Sequence, residues 1–137
     1  MTRTDLQQLA EERIEEAKLL LGAAKYSGAY YLSGYAVEFA LKACVAKLTN
    51  QHDFYDEAIA KDCFTHRPEI LVNLAGLRPQ LDADRAADSD LEINWATACA
   101  WTESSRYEFH TKDDAEALFN AVTDAARGVL PWIRTHW

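Results

Sequence analysis

The chain has 137 residues, 49% apolar and 26% charged, and its 22 acidic against 14 basic side chains leave a formal charge of −8. That is the size of one domain with one sizeable core, in a composition unlike that of a disordered segment. The negative balance disfavours broad phosphate-backbone binding, which depends on Lys and Arg displacing counterions.

No alternating Val/Ile/Thr-rich run marks a strand, whereas helical spacing of apolar residues is present nearly everywhere. Thr4 with Gln7 forms a plausible capping box for a first helix ending at Gly22 or Ala23, with Leu6, Leu9, Ala10, Ala17, Leu20 and Leu21 on one face. Arg13 falls inside that arc and must find an acceptor, Glu38 or Glu103, or else contact a ligand. Ser27 can cap a second helix, SGAYYLSGYAVEFALKACVAKL, reaching Leu48. Residues 49–64 read as a loop with room for one short helical piece, and His52 in it as solvated. Pro68 suits the first turn of a third helix that Gly76 ends. RPQLDADRAADSD reads as polar connector with room for a helical turn. Ser89 with Glu92 is a capping box for a fourth helix through Arg106, and Thr111 with Asp114 for a fifth ending around Pro131 and Trp132. The expected fold is therefore all-α, one domain over residues 1–137, an antiparallel up-and-down bundle of four to five helices.

The second helix is apolar around most of its wheel, which places it at the centre of the bundle. At about 100° per residue, Tyr31, Tyr35, Glu38 and Lys42 share a sector of roughly 60°, with Glu38 four residues ahead of Lys42 in the favourable order for an ion pair. Two readings stand side by side. The stripe faces water or a neighbouring helix, or it lines a polar groove with aromatic walls suited to a base and its phosphate. His66, just before the third helix, either caps and packs or meets a ligand. Trp95 reads as core or as a stacking platform, and Arg106 as a cation at a helix end.

The odd cysteines Cys44, Cys63 and Cys99 lack metal or redox spacing and read as small buried hydrophobes of a reducing, cytoplasmic protein. No metal or cofactor is expected. The polar start MTRTDLQQLAEE is no signal peptide, and no apolar run approaches the ~18 residues of a membrane span.

The segments ERIEEAKLLLGAAKYSGAYYLSGYAVEFALKA, THRPEILVNLAGL, NWATACAW and SSRYEF together resemble the HEPN family (higher eukaryote and prokaryote nucleotide-binding). The resemblance implies a helical bundle, commonly a homodimer, that binds a nucleotide or a partner and is often paired with a minimal nucleotidyltransferase in toxin–antitoxin systems. Some members are metal-independent endoribonucleases whose motif is an Arg, a polar residue, and a His after a spacing of four to six. Here only TyrGluPhe separates Arg106 from His110, and Tyr107 stands where the polar residue belongs. The strict motif is not matched, so Arg106 and His110 are catalytic candidates of an alternative, an RNA-cleaving toxin. The leading expectation is a binding module using Arg13, Tyr31, Tyr35, Glu38, Lys42, His66 and Arg106. A purely structural dimeric protein is the third.

Overall fold

The computed structural model of the chain describes residues 1–51, 61 and 63–137. Among these it is all-helical: α1 (Arg3–Gly22), α2 (Tyr26–Gln51), α3 (Pro68–Leu74), α4 (Arg78–Ala87), α5 (Ser89–Cys99), a 3-10 turn over Glu103–Tyr107, α6 (Lys112–Thr123) and α7 (Val129–Arg134). The all-α bundle is as expected, and among the described residues it is divided into seven α-helices, several of them short, where four to five were expected. The loop anticipated over 49–64, His52 included, lies mostly outside the described residues; within them α2 continues through Gln51.

Helix α2 is the axis of the bundle and packs on α1, α3, α6, α7 and the 3-10 turn. Its small side chains allow this. Ala29, Ser33, Gly34, Ala36, Ala40 and Ala43 are buried, so neighbouring backbones approach closely, while Val37, Leu41 and Val45 fill the gaps between them. The Ser33 hydroxyl donates to the Ala29 carbonyl at 2.7 Å, so no polar atom there is left without a partner. Trp95, Trp101, Leu71, Leu81, Leu118, Leu130 and Ile133 complete the core from the other elements, each worth about 1.5 to 3 kcal/mol of burial. Among the described residues no helix is long and apolar enough to cross a membrane.

Several boundaries differ from expectation, each for a local reason. The capping box of α1 is Thr2 with Asp5, not Thr4 with Gln7. Helix α5 is capped one residue earlier than expected, by Asp88, whose carboxylate accepts from the Asp90 and Leu91 amides. That leaves Glu92 to pair with Arg85 through two hydrogen bonds of 2.8 and 2.9 Å. Helix α5 also stops at Cys99 instead of running to Arg106, because Trp101 turns into the core and the following Thr-Glu-Ser-Ser stretch favours local side-chain hydrogen bonds over helix. The Thr111 and Asp114 box is present as expected, but Asp124 accepts from the Ala126 and Arg127 amides and ends α6 well before Pro131. Pro131 lies in the first turn of α7, where its missing N–H costs nothing. The polar connector RPQLDADRAADSD contains the ten-residue α4.

The turn between α1 and α2 explains why a glycine is a poor guide to a helix end here. Lys25 N–H bonds the Leu20 carbonyl and Ala24 N–H bonds the Leu21 carbonyl, which is a Schellman closure with Ala24 at the left-handed position, φ 59°. Gly22 stands two residues too early to relieve it. By contrast, Gly76 occupies the same position after α3 at φ 71°. An L-residue in the left-handed region costs about 1 to 2 kcal/mol, offset partly by the larger entropy of an unfolded glycine. Ala24→Gly is therefore expected to stabilise the protein by about 0.5 to 1 kcal/mol in urea unfolding, and a loss of stability would show that the turn is not strained.

Candidate functional site

Three chain segments meet over one side of α2. The first is the stripe itself, where Glu38 is 1% exposed and its carboxylate accepts from Lys42 Nζ at 2.7 Å. The second is the extended approach to α3, which carries His66; its Nδ1 lies 3.0 Å from each Glu38 oxygen. The third is the 3-10 turn, whose first residue, Glu103, places an oxygen 2.7 Å from His66 Nε2. The result is a continuous chain Lys42–Glu38–His66–Glu103. A neutral imidazole donates one of its two bonds and the protonated ring donates both. Burying Glu38 without Lys42 and His66 would cost several kcal/mol, so the cluster is self-consistent electrostatically.

Aromatic rings wall this chain. Tyr35 stands edge-on to Tyr31 (4.9 Å between centroids), to Trp101 (5.3 Å) and to His66 (6.2 Å). Burial first, then the hydrogen bond with Tyr31 and the Glu38 charge, push the Tyr35 phenol above its ordinary value. The Trp101 ring lies directly on Gly34, where a Cβ would come within 2.3 Å of three ring atoms. The seam on α2 is thus closed over by other elements and does not face open solvent.

Above it opens a cleft of about 620 Å³ between Phe64–Arg67 on one side and Trp101–Ser104 on the other. Arg67 is exposed and, among the described residues, pairs with no carboxylate. Phe64 is 79% exposed at the lip, and the Thr102 and Ser104 hydroxyls bond each other at 2.7 Å. Arg67, Phe64 and Trp101 were not singled out from sequence as site residues; the run Phe-Thr-His-Arg was the available signal, with an aromatic and two nitrogen donors beside a helix start. Among the described residues no group of His, Cys, Asp and Glu is arranged to hold a metal ion.

The family model of the HEPN domain matches residues 4–60. The matched stretch takes in α1 and α2. No curated protein and no solved structure matches the chain. His66, Trp101, Glu103, Arg106 and His110 all lie beyond the matched HEPN segment, so their roles rest on the geometry alone.

Of the other residues expected at the site, Arg13 is elsewhere. It pairs with Glu12 (3.5 Å) and Glu16 (3.1 Å) of its own helix, not with Glu38 or Glu103. The buried line of α1 is Ala10, Ile14 and Ala17, and Arg13 lies at its margin, where the adjacent Glu12 and Glu16 three residues on are its ion-pair partners. Arg106 and His110 attach to different tyrosines of α2. The exposed Arg106 guanidinium lies 4.7 Å from the Tyr107 ring centre, and Tyr107, with Tyr31, holds it above its ordinary pKa. The His110 ring stacks on Tyr30 at 3.7 Å, with Nε2 3.4 Å from Glu108 and Nδ1 3.9 Å from Asp114. Its backbone N–H donates to Ser27 Oγ, so that hydroxyl, expected to cap α2, instead ties down the 3-10 connection. No hydrogen bond or ion pair among the described residues joins Arg106 to His110. Trp95 is core, 1% exposed, and its indole N–H donates to Glu69 at 2.9 Å.

Proposed function

We propose that this HEPN-family module is a binding protein whose cleft between His66–Arg67 and Trp101–Ser104 takes a nucleotide. What carries the reading is the Lys42–Glu38–His66–Glu103 chain, which runs from a buried carboxylate out to the wall of that cleft. Burying the Glu38 carboxylate is costly, and it fixes one imidazole at a solvent-accessible mouth. Arg67 offers a cation to a phosphate, the hydroxyls of Thr65, Thr102 and Ser104 offer hydrogen bonds, and Phe64 offers an apolar face to a base. Tyr35 flanks the imidazole and Tyr31 backs Tyr35; neither tyrosine lines the cleft.

Within this reading the module acts as a cytoplasmic homodimer beside a small nucleotidyltransferase, in the manner of a toxin–antitoxin pair. Isothermal titration with AMP, GMP and ATP tests the cleft. Arg67→Ala is expected to weaken binding about tenfold, the effect of one charge-assisted hydrogen bond. No heat with any of the three nucleotides would leave a structural interaction protein. Metal-free cleavage of labelled RNA, lost in both Arg106→Ala and His110→Ala, would put the ribonuclease in its place.

A further inference from the structure

His66 has a carboxylate on each ring nitrogen, and the two carboxylates differ in kind. Glu38 is 2% exposed in its side chain, comes from the middle of α2 and is neutralised by Lys42. Glu103 is 44% exposed, opens a 3-10 turn of five residues, and its one ion pair among the described residues is with His66 Nε2. It lines the cleft, as does Arg67, the next residue along from His66. So the deeper carboxylate fixes the ring, while the outer one sits on the nitrogen that faces the ligand space.

We propose that Glu103 is a built-in, displaceable anion: its carboxylate occupies the place on His66 Nε2 that an oxyanion of the ligand takes, and binding swings Glu103 out. The inference rests on the cleft being the ligand site. The incoming group is then a phosphate or carboxylate oxygen, for two reasons. It must replace a charged acceptor on the same imidazole nitrogen, and it gains Arg67, which Glu103 leaves unpaired. The internal carboxylate also sets selectivity. A neutral ligand offers His66 a weaker acceptor than the carboxylate and leaves Glu103 in place, whereas a phosphate with several acceptor oxygens displaces it and holds His66 and Arg67 together. Side-chain displacement from a short 3-10 turn needs no movement of the core helices.

The experiment uses the full chain and AMP, with adenosine as the neutral counterpart. Glu103→Gln removes the competitor and is expected to bind AMP about tenfold more tightly than the parent, with adenosine unchanged. Glu108→Gln removes the same charge from the same segment without touching His66, and is expected to change AMP affinity less than about twofold. In a His66→Asn background the gain from Glu103→Gln disappears, which a general charge effect would not do. If the parent binds AMP and Glu103→Gln binds no tighter, or if Glu108→Gln matches its gain, Glu103 is no gate although the cleft remains a site. If neither the parent nor Glu103→Gln binds AMP, the cleft itself fails as a nucleotide site and the gate fails with it.

Discussion

Gly34→Ala is expected to lower the melting temperature by about 10 °C, equivalent to roughly 3 kcal/mol for a chain of this length. The added Cβ would lie 2.2 to 2.3 Å from Cγ, Cδ2 and Cε2 of Trp101, against an ordinary contact distance of about 3.5 to 4 Å. An indole has no flexible end to move, and Trp101 is 2% exposed, so the whole ring must shift into neighbours that already touch it. Tyr35 is the first of these, and Tyr35 in turn flanks His66, so the damage reaches the cleft as well as the core. Gly28→Ala is the internal comparison, because its Cβ meets only Leu20 Cδ1, at 3.2 Å. A methyl at the end of a leucine gives way, and the change there is expected to stay below about 1 kcal/mol. Thermal unfolding followed by circular dichroism reads both variants; a Gly34→Ala protein melting within about 2 °C of the parent would show that the Trp101 packing is adaptable.

The contrast between Gly34 and its partner shows where sequence reasoning carried and where it stopped. The centrality of α2 was legible because nearly its whole circumference is apolar or small, and only an enclosed helix can be so. Its polar stripe was legible for the same reason, since Tyr31, Tyr35, Glu38 and Lys42 stand out against that background. What lies opposite the stripe was not legible. His66 is 28 positions from Glu38 and Trp101 is 67 positions from Gly34, and one-dimensional spacing says nothing about pairs that far apart. Helix α4 reads as a connector with at most one helical turn because Leu81 is its one buried side chain, too sparse an apolar signal to mark ten residues. Arg13 falls inside an arc drawn through Leu6, Leu9, Ala17, Leu20 and Leu21, whose leucines are only partly buried; the true inner line is Ala10, Ile14 and Ala17, with Arg13 at its margin. Small residues are weak signals on a hydropathy wheel, yet they are the ones that let two helices approach.

Lys42→Met is expected to cost about 2 to 3 kcal/mol in urea unfolding, somewhat below the value for breaking a fully buried pair. The discount follows from exposure: the Lys42 side chain is 18% exposed and that of His66 33%, so water reaches the edge of the cluster and screens part of the loss. The cost that remains comes from Glu38, whose 2% exposed carboxylate would keep the His66 imidazole as its one side-chain hydrogen-bonding partner. Glu38→Gln keeps the shape and removes that charge, leaving Lys42 free to turn outward, and is expected to cost about 1 to 2 kcal/mol. Combining the two leaves no unpaired buried charge, so the double variant should be more stable than the sum of the singles implies by at least about 1 kcal/mol. The same cycle read by AMP titration tests whether the pair also serves the cleft. If Glu38 fixes the imidazole, Glu38→Gln lets the ring rotate and weakens AMP, while Lys42→Met, which leaves both Glu38 oxygens on His66 Nδ1, weakens it less. Stability changes that add within about 0.5 kcal/mol would mean that Lys42 and Glu38 are neighbours without being partners, and the electrostatic floor assigned to the cleft would have no basis.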